Sequence, residues 1–240
     1  MNAPKNWLAI DTATDIASVA ISTELGSVER SIRGARRHAA EIIPLVQEVL
    51  KLAGATTNDL EGVIVADGPG SFTGVRIGWA AAKGLIHERR LPLVTIPSLL
   101  AAAYGAGVET VAACYDALRG QVFGAVYRFK PDGLQAIVPP TLCTMPRLMT
   151  MVMPRPAPIV AVGDGAERYA DIVKAWTGRD PIGLGELPTL AGSLLSLYPY
   201  PSAHRVIEDP NVAEPVYGRL AEAQVKWEAR YGRPLPNSPR

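Results

Sequence analysis

Both halves of this 240-residue chain begin with strand-like segments and end in a strand, a tight turn and a helix. The strand-like runs start at residue 7 and resume at residue 110. Strands that alternate with helices are typical of mixed α/β sheets, and the repeated layout indicates two related lobes. The sequence therefore predicts an α/β protein with a first lobe over residues 1–103, a second, smaller lobe over 104–230 and a loose, Pro-rich tail over 231–240.

The composition is that of a folded, charge-balanced protein. Hydrophobic residues make up 48% of the chain and the formal net charge is +1, whereas a nucleic-acid-binding protein usually carries a basic surplus. Two cysteines exclude a disulfide framework and a Cys-rich metal site. Asp11 and Asp15 interrupt the first apolar run, so no export signal is expected. The sequence predicts a reduced, cytoplasmic protein.

One uncharged stretch has the length of a membrane span. It comprises 18 residues, Leu91 to Val108, but prolines and glycines interrupt it. We interpret it as a buried strand, Leu91–Ile96, followed by a short helix that Ser98 opens. The chain is therefore predicted to have no membrane span.

Two long helices are predicted in the first half. The first, His38–Leu52, has a core-facing apolar pattern, which Ile43 and Leu52 widen. The second follows the loop Gly68–Gly74 and runs to about Arg90, with small residues at every fourth position: Gly74, Gly78 and Ala82. Each interior glycine costs about 1 kcal/mol relative to alanine, so close packing must offset that cost. The residues alone favour packing within the chain, with a subunit contact as the alternative.

Two turns that follow predicted strands are candidate phosphate sites. Hydroxyls and exposed amides in such turns can hold a phosphate. The candidate residues are Asp11, Thr12, Thr14, Gly163 and Gly165. Ordinary turn chemistry explains Asp11, Thr12 and Thr14 equally well, and for Gly163 and Gly165 a simple turn is the favoured interpretation. The glycines of the Gly68–Gly74 loop fit neither the Walker pattern nor the dinucleotide fingerprint.

Catalytic machinery is not indicated by the residues. The three histidines are isolated, Ser71 does not lie in a Gly-x-Ser-x-Gly elbow, and neither cysteine has a neighbouring base. The sequence therefore predicts no catalytic residue, no metal and no cofactor. A basic cluster that includes Arg33, Arg36 and Arg37 is either a solvated loop or a patch that contacts phosphates within a larger RNA-binding assembly.

Three segments together resemble the TsaB (YeaZ) family: Asp11–Ile21, Gly68–Gly78 and Cys114–Gly120. The resemblance covers most of the first 130 residues, with a weaker match at Glu214–Arg219. It implies a two-lobed actin/sugar-kinase/Hsp70-like fold and a role in transferring threonylcarbamoyl to the tRNA adenosine next to the anticodon.

The resemblance also implies partners. In that family the chain is the non-catalytic partner of the catalytic paralogue TsaD and of the ATPase TsaE. It reaches tRNA only through the complex and forms a homodimer when alone. The alternative is a stand-alone enzyme, either an ATP-dependent phosphotransferase or a glycoprotease-like peptidase.

The resemblance also implies where the subunits meet. The family pairs through its first two long helices, which favours a subunit contact at the small-residue positions. The predicted partner interface is Ile42, Leu45, Val46, Val49, Gly74, Gly78 and Ala82, and Gly78→Leu is expected to break association. The chain departs from the family pattern at Ala39 and Ala40, where Ser and Glu are usual, and at Asp67, where a basic residue is common. Ser98–Ala103 corresponds to the metal motif of TsaD but carries no histidine.

Overall fold

The computed structural model describes residues 4–131, 133–153, 155–219, 227 and 230–232. Within them the chain forms one six-stranded and one four-stranded sheet with flanking helices. Both sheets contain parallel and antiparallel pairs. The predicted mixed α/β class is therefore confirmed.

The six-stranded sheet has the order β10-β5-β4-β1-β2-β3. Its strands are β1 (Trp7–Asp11), β2 (Ile16–Thr23), β3 (Gly26–Arg33), β4 (Gly62–Ala66), β5 (Leu93–Ile96) and β10 (Arg205–Ile207). Strands β1 and β4 are buried along their whole length because helices cover both faces of the sheet. The polar strand β3 forms one edge, as its composition predicts.

Seven α-helices are described. They are α1 (His38–Leu52), α2 (Phe72–His87), α3 (Ser98–Gly105), α4 (Met145–Val152), α5 (Asp164–Arg168), α6 (Ala170–Thr177) and α7 (Leu190–Leu197). Helices α1 and α2 pack on one face of the six-stranded sheet, and α3 and α7 pack on the other. Alternate residues of β1 divide between these faces, since Leu8 and Ile10 belong to the α1–α2 side and Ala9 belongs to the α3–α7 side.

The four-stranded sheet has the order β8-β7-β6-β9 and forms the second lobe. Its strands are β6 (Thr110–Asp116), β7 (Val122–Lys130), β8 (Gly133–Cys143) and β9 (Val160–Val162). The apolar cluster around α3 and α7 continues into β6 and β7, so the two sheets share a core.

The predicted lobe boundaries need a correction. Helix α7 packs against β1 and β2, and β10 pairs with β5, so residues 190–207 return to the first sheet. The range 104–230 is therefore not one lobe. Of the predicted tail 231–240, the structure describes Tyr231 and Gly232, and the rest lies outside the described residues.

The uncharged stretch contains a strand, β5, followed by a helix, α3, as the sequence predicts. In the part of the chain that the structure describes, no helix has both the length and the apolarity that a bilayer crossing requires. The sequence also predicts a turn at Gly163–Gly165 and a helix from Ala166. Instead, α5 begins at Asp164, and the non-helical residue Tyr169 separates it from α6.

Candidate functional site

The small residues of α2 face the sheet of their own chain. A Cβ added to Gly74 would collide with the carbonyl oxygen of Thr12, and one added to Gly78 would collide with the Thr12 hydroxyl. The Thr12 Oγ1 donates a hydrogen bond to the Gly74 carbonyl oxygen at 2.7 Å. Ala82 is fully buried on the same side of the helix. The glycines thus allow α2 to approach the turn between β1 and β2, which offsets their propensity cost.

The predicted interface residues of α1 are also buried within the chain. Ile42, Leu45, Val46 and Val49 lie in the apolar cluster between α1, α2 and the first sheet. The seven predicted contact residues are therefore internal packing residues, which corrects the predicted interface at the level of side chains. The wide apolar arc of α1, from which the sequence predicts an interface, is the surface by which α1 covers the sheet.

The outward surface of these helices consists of other residues, and we call its uncharged part the docking face. It comprises exposed and half-buried residues at helical spacing on the two adjacent helices: Ala40, Ile43, Pro44 and Gln47 of α1, and Thr73, Ile77, Ala80 and Gly84 of α2. None of these eight side chains is charged, and 45% of Ile43 is exposed. A Cβ added at Gly84 would meet no atom within 4 Å. The extra apolar residue Ile43 was the sequence signal for this surface.

A cavity of about 640 Å³ lies between the two lobes. Its walls come from the β1–β2 turn, the start of α2, the β6–β7 hairpin, α5 and the segment after β10. The lining residues are Ala13, Thr14, Asp15, Ala35, Gly70, Ser71, Phe72, Tyr115, Asp116, Ala117, Leu118, Phe123, Asp164, Tyr217 and Arg219. Of the five candidate phosphate residues, Thr14 lines this cavity.

Gly163 and Gly165 have a packing role in the structure. A Cβ at Gly163 would collide with the Cys114 carbonyl oxygen, and one at Gly165 would lie 2.7 Å from the Tyr115 carbonyl carbon. These glycines let α5 pack closely on β6. Between them, Asp164 accepts hydrogen bonds from the backbone N–H groups of Asp116 (3.1 Å) and Gly165 (2.9 Å). Burial raises the pKa of the Asp164 carboxyl.

Asp11 lies at the end of β1 and is fully buried. Its Oδ1 accepts a hydrogen bond from the Ala13 N–H at 3.2 Å, whereas its Oδ2 has no hydrogen-bond partner among the described residues. Burial raises the pKa of this carboxyl to about 7. At neutral pH the Asp11 carboxyl therefore carries its proton in a substantial fraction of folded chains.

The basic cluster lies on the surface and is partly neutralised. Arg37 pairs with Glu41 at 3.3 Å, and Arg33 lies against Gly185, whereas Arg36 is exposed. These side chains remain the predicted tRNA contacts within a complex.

The groups that resemble catalytic ones have structural roles. The Ser71 hydroxyl accepts a hydrogen bond from the Gly74 N–H at 3.2 Å and caps α2. Cys114 is fully buried, and burial raises the pKa of its thiol. A group of three potential metal ligands is not found among the described residues.

Sequence reasoning missed contacts between segments that are far apart in the chain. Arg76 contacts Tyr217, Gln121 contacts Arg219, and Asp67 pairs with Arg205 at 3.2 Å. The last pair accounts for the acid at position 67. The signal available in the sequence was the weak family resemblance of Glu214–Arg219, which showed neither where the segment lies nor what it touches.

Comparisons with known proteins agree with this architecture. The family model TsaD, described as tRNA N6-adenosine threonylcarbamoyltransferase, matches residues 31–188. The Escherichia coli tRNA threonylcarbamoyladenosine biosynthesis protein TsaB is 39% identical over 132 residues, which are 53% of this chain and 57% of that protein. The chain thus aligns with little more than half of this relative. The Bacillus subtilis protein of the same name is 28% identical over 229 residues, which are 92% of this chain and 96% of that protein.

A solved structure gives the fold directly. It is a Pseudomonas aeruginosa protein described as uncharacterized with similarity to peptidase YEAZ, and it superposes with a TM-score of 0.74 at 27% identity. The match covers 91% of this chain and 100% of that one. The predicted two-lobed actin/sugar-kinase/Hsp70-like fold is confirmed. The chain belongs to the TsaD family, and among its members it is of the TsaB (YeaZ) type.

Proposed function

We propose that this chain is a non-catalytic subunit of the assembly that transfers threonylcarbamoyl to the tRNA adenosine next to the anticodon. It acts by binding the catalytic subunit TsaD, and the ATPase TsaE joins the two. The relatives named as tRNA threonylcarbamoyladenosine biosynthesis proteins support the pathway. The observation that supports a binding role most directly is the docking face on α1 and α2.

The docking face has the chemistry of a helix-pairing surface. Its centre is uncharged, and Ile43, Ile77 and Pro44 offer apolar side chains to a partner. Ala80 and Gly84 are small, so the backbone of a partner helix can approach α2 closely. Burial of such a patch removes apolar area from water, which is the main driving force of association.

The charged residues of α2 leave this face open because other contacts hold them elsewhere. Lys83 Nζ donates to the Ala213 carbonyl oxygen at 2.7 Å, and Arg76 Nε donates to the Tyr217 hydroxyl at 2.9 Å. Both side chains are directed toward the segment after β10. The same surface serves a second copy of this chain when TsaD is absent, which gives the predicted homodimer.

The accessory role is supported by the structural hydrogen bonds that the polar residues of the sequence motifs make within the chain. Thr12, Ser71 and Asp164 make the internal hydrogen bonds described above, which hold the β1–β2 turn, α2 and α5 in place. The motif residues of this chain therefore build a scaffold for the two helices that carry the docking face.

The proposal is tested by charge insertion on the docking face. Ile43→Asp and Gly84→Arg each place a charge within the docking face. Both positions are exposed, so the fold should remain intact. We expect each variant to bind TsaD at least about thirtyfold more weakly, the scale of a lost anchor of about 2 kcal/mol. Isothermal titration with purified TsaD measures this.

Leu25→Asp is the matched control, because Leu25 is an apolar residue that is 99% exposed in the turn between β2 and β3. It should bind TsaD normally. Sedimentation of each variant alone reports the homodimer, and thermal melts confirm folding. Normal TsaD binding by both folded docking-face variants would show that the partner docks elsewhere.

A further inference from the structure

The segment that follows β10 crosses from one lobe to the other. Residues 208–219 first run beside α2, where the Ala213 carbonyl oxygen accepts the Lys83 hydrogen bond. They then reach the interlobe cavity, which Tyr217 and Arg219 line.

Several contacts fix this segment to the first lobe. The Val216 N–H donates to the carbonyl oxygen of Asp67 at 2.8 Å. The Tyr217 ring lies on Phe72 with a centroid separation of 4.6 Å. The Arg76 guanidinium lies 4.2 Å from the centre of the Phe72 ring and donates to the Tyr217 hydroxyl. The first-lobe end is thus held by backbone, aromatic and charged contacts together.

Within the part of the chain that the structure describes, the contact of this segment with the second lobe is smaller. Arg219 Nη2 donates to Gln121 Oε1 at 2.6 Å, in the turn that joins β6 and β7. Gly218 has a φ of 68° and fits between the lobes, since a Cβ there would lie 2.8 Å from the Pro69 Cβ and 2.9 Å from the Phe123 ring. A residue with a side chain would push the segment away from the cavity.

Charge also favours the observed position of Arg219. Three carboxylates, those of Asp15, Asp116 and Asp164, line the same cavity, and Arg219 is the cationic side chain among the described lining residues. Arg168 pairs with Asp116 at 2.7 Å from outside the lining. The excess of acid in the lining attracts the Arg219 guanidinium toward the cavity.

We propose that residues Val216–Arg219 are a strap that closes the interlobe cavity, and that the hydrogen bond from Arg219 to Gln121 keeps it closed. The strap opens at its second-lobe end because, among the described residues, fewer contacts hold that end. This inference does not depend on the proposed subunit role, since none of the eight docking-face residues lines the cavity.

Cysteine labelling in the full chain tests the strap. Ala117 is 4% exposed and lines the cavity, so Ala117→Cys places a thiol beneath the strap. Cys114 and Cys143 are buried and give the background rate with iodoacetamide. Arg219→Ala should label Cys at position 117 about tenfold faster than the parent, because a hydrogen bond to a charged group is lost. Gln121→Ala breaks the same bond from the other lobe and should give the same increase.

Two further variants distinguish a strap from general loosening. Arg219→Lys keeps the charge and a donor and should restore much of the slow labelling, whereas Arg30→Ala, which breaks a surface pair with Glu48, should leave the rate unchanged. Thermal melts identify any variant that does not fold, and Gln121→Ala then stands in for Arg219→Ala. Labelling within twofold of the parent rate in folded Gln121→Ala and Arg219→Ala would overturn the proposal, as would an equal increase in Arg30→Ala.

Discussion

At the scale of single residues, the carboxyl of Asp11 makes the stability of the fold depend on pH. Its Oδ2 is buried without a hydrogen-bond partner among the described residues, and its Oδ1 has the Ala13 N–H. Removal of a carboxylate from water without a compensating cation disfavours the charged form. The group therefore titrates near pH 7 in the folded chain, about three units above its ordinary pKa.

We predict that Asp11→Asn stabilises the chain at about pH 8. The folded state holds the Asp11 proton more tightly than the unfolded state, so the stability linked to this proton is complete below about pH 4. It is lost as the pH rises to about 7. A shift of three units corresponds to at most about 4 kcal/mol, and Asn lacks this penalty.

Urea unfolding of both proteins at about pH 5 and pH 8 measures this effect. The free energy of unfolding of the parent should fall between these pH values by more than that of Asp11→Asn. The carboxyls of Asp67 and Asp164, whose pKa values burial also raises, are present in both proteins and cancel in the comparison. Parallel pH profiles for the two proteins would contradict the prediction.

The residue scale also shows where sequence reasoning stops. The sequence locates Thr12 in a turn after a strand, and the structure agrees, with Asp11 as the last residue of β1. It gives no indication that the Thr12 hydroxyl bonds Gly74, because the two residues are 62 positions apart. The sequence does not distinguish a polar turn residue that binds a ligand from one that forms a hydrogen bond with a neighbouring helix.

At the scale of elements, α2 combines two faces with different functions. The sequence predicts the helix and the need for close packing at its glycines, because propensity and spacing are local properties. It does not show which side of the helix the sheet occupies. The pattern Gly74, Gly78, Ala82 therefore indicated a partner helix, whereas the structure has Thr12 there.

Two glycines of α2 should respond in opposite ways to alanine. Gly78→Ala should destabilise the chain despite the better helix propensity of alanine, because the new methyl group collides with the Thr12 hydroxyl. Gly84→Ala meets open space and should stabilise the chain by about 1 kcal/mol. Gly78→Leu should unfold or strongly destabilise the chain, and any loss of association would follow from that.

Denaturant midpoints of Gly78→Ala and Gly84→Ala measure both effects on the same helix, with each variant as the control for the other. If both variants gain similar stability, the close approach of α2 to the β1–β2 turn is wrong.

Two strands, β8 and β10, could not be predicted from the sequence, each for a different physical reason. Strand β8 contains Pro139 and Pro140, which argue against a strand in sequence but are tolerated on an edge of the sheet, where β8 lies. Strand β10 has three residues and is defined by its pairing with β5, about 110 positions earlier in the chain. Short strands of this kind depend on tertiary contacts that local patterns do not contain.

At the scale of the whole molecule, the layout of two lobes follows from the order of strands and helices, and that part of the fold could be predicted. The return of α7 and β10 to the first sheet could not, because it depends on which apolar faces remain uncovered after both sheets form. The segment that crosses the interlobe cavity follows from this return, because it begins where β10 ends beside the first sheet.

The charge distribution of the whole chain leads to a prediction about tRNA. A net charge of +1 and arginines that already pair with acids leave little attraction for a polyanion. We expect the isolated chain to bind tRNA with a dissociation constant above about 1 μM at physiological salt, and the affinity should fall further as the salt concentration rises.

In the assembled complex, replacement of Arg33, Arg36 and Arg37 by alanine should lower tRNA affinity but leave the binding of TsaD intact, because these side chains lie outside the docking face. The control is Arg155→Ala with Arg179→Ala, two exposed arginines of the second lobe, which should leave tRNA affinity unchanged. Filter binding across a salt series measures both effects. Unchanged tRNA affinity of the triple variant in the complex would show that the cluster is a solvated loop, and submicromolar binding by the isolated chain would show that its charge balance does not limit RNA recognition.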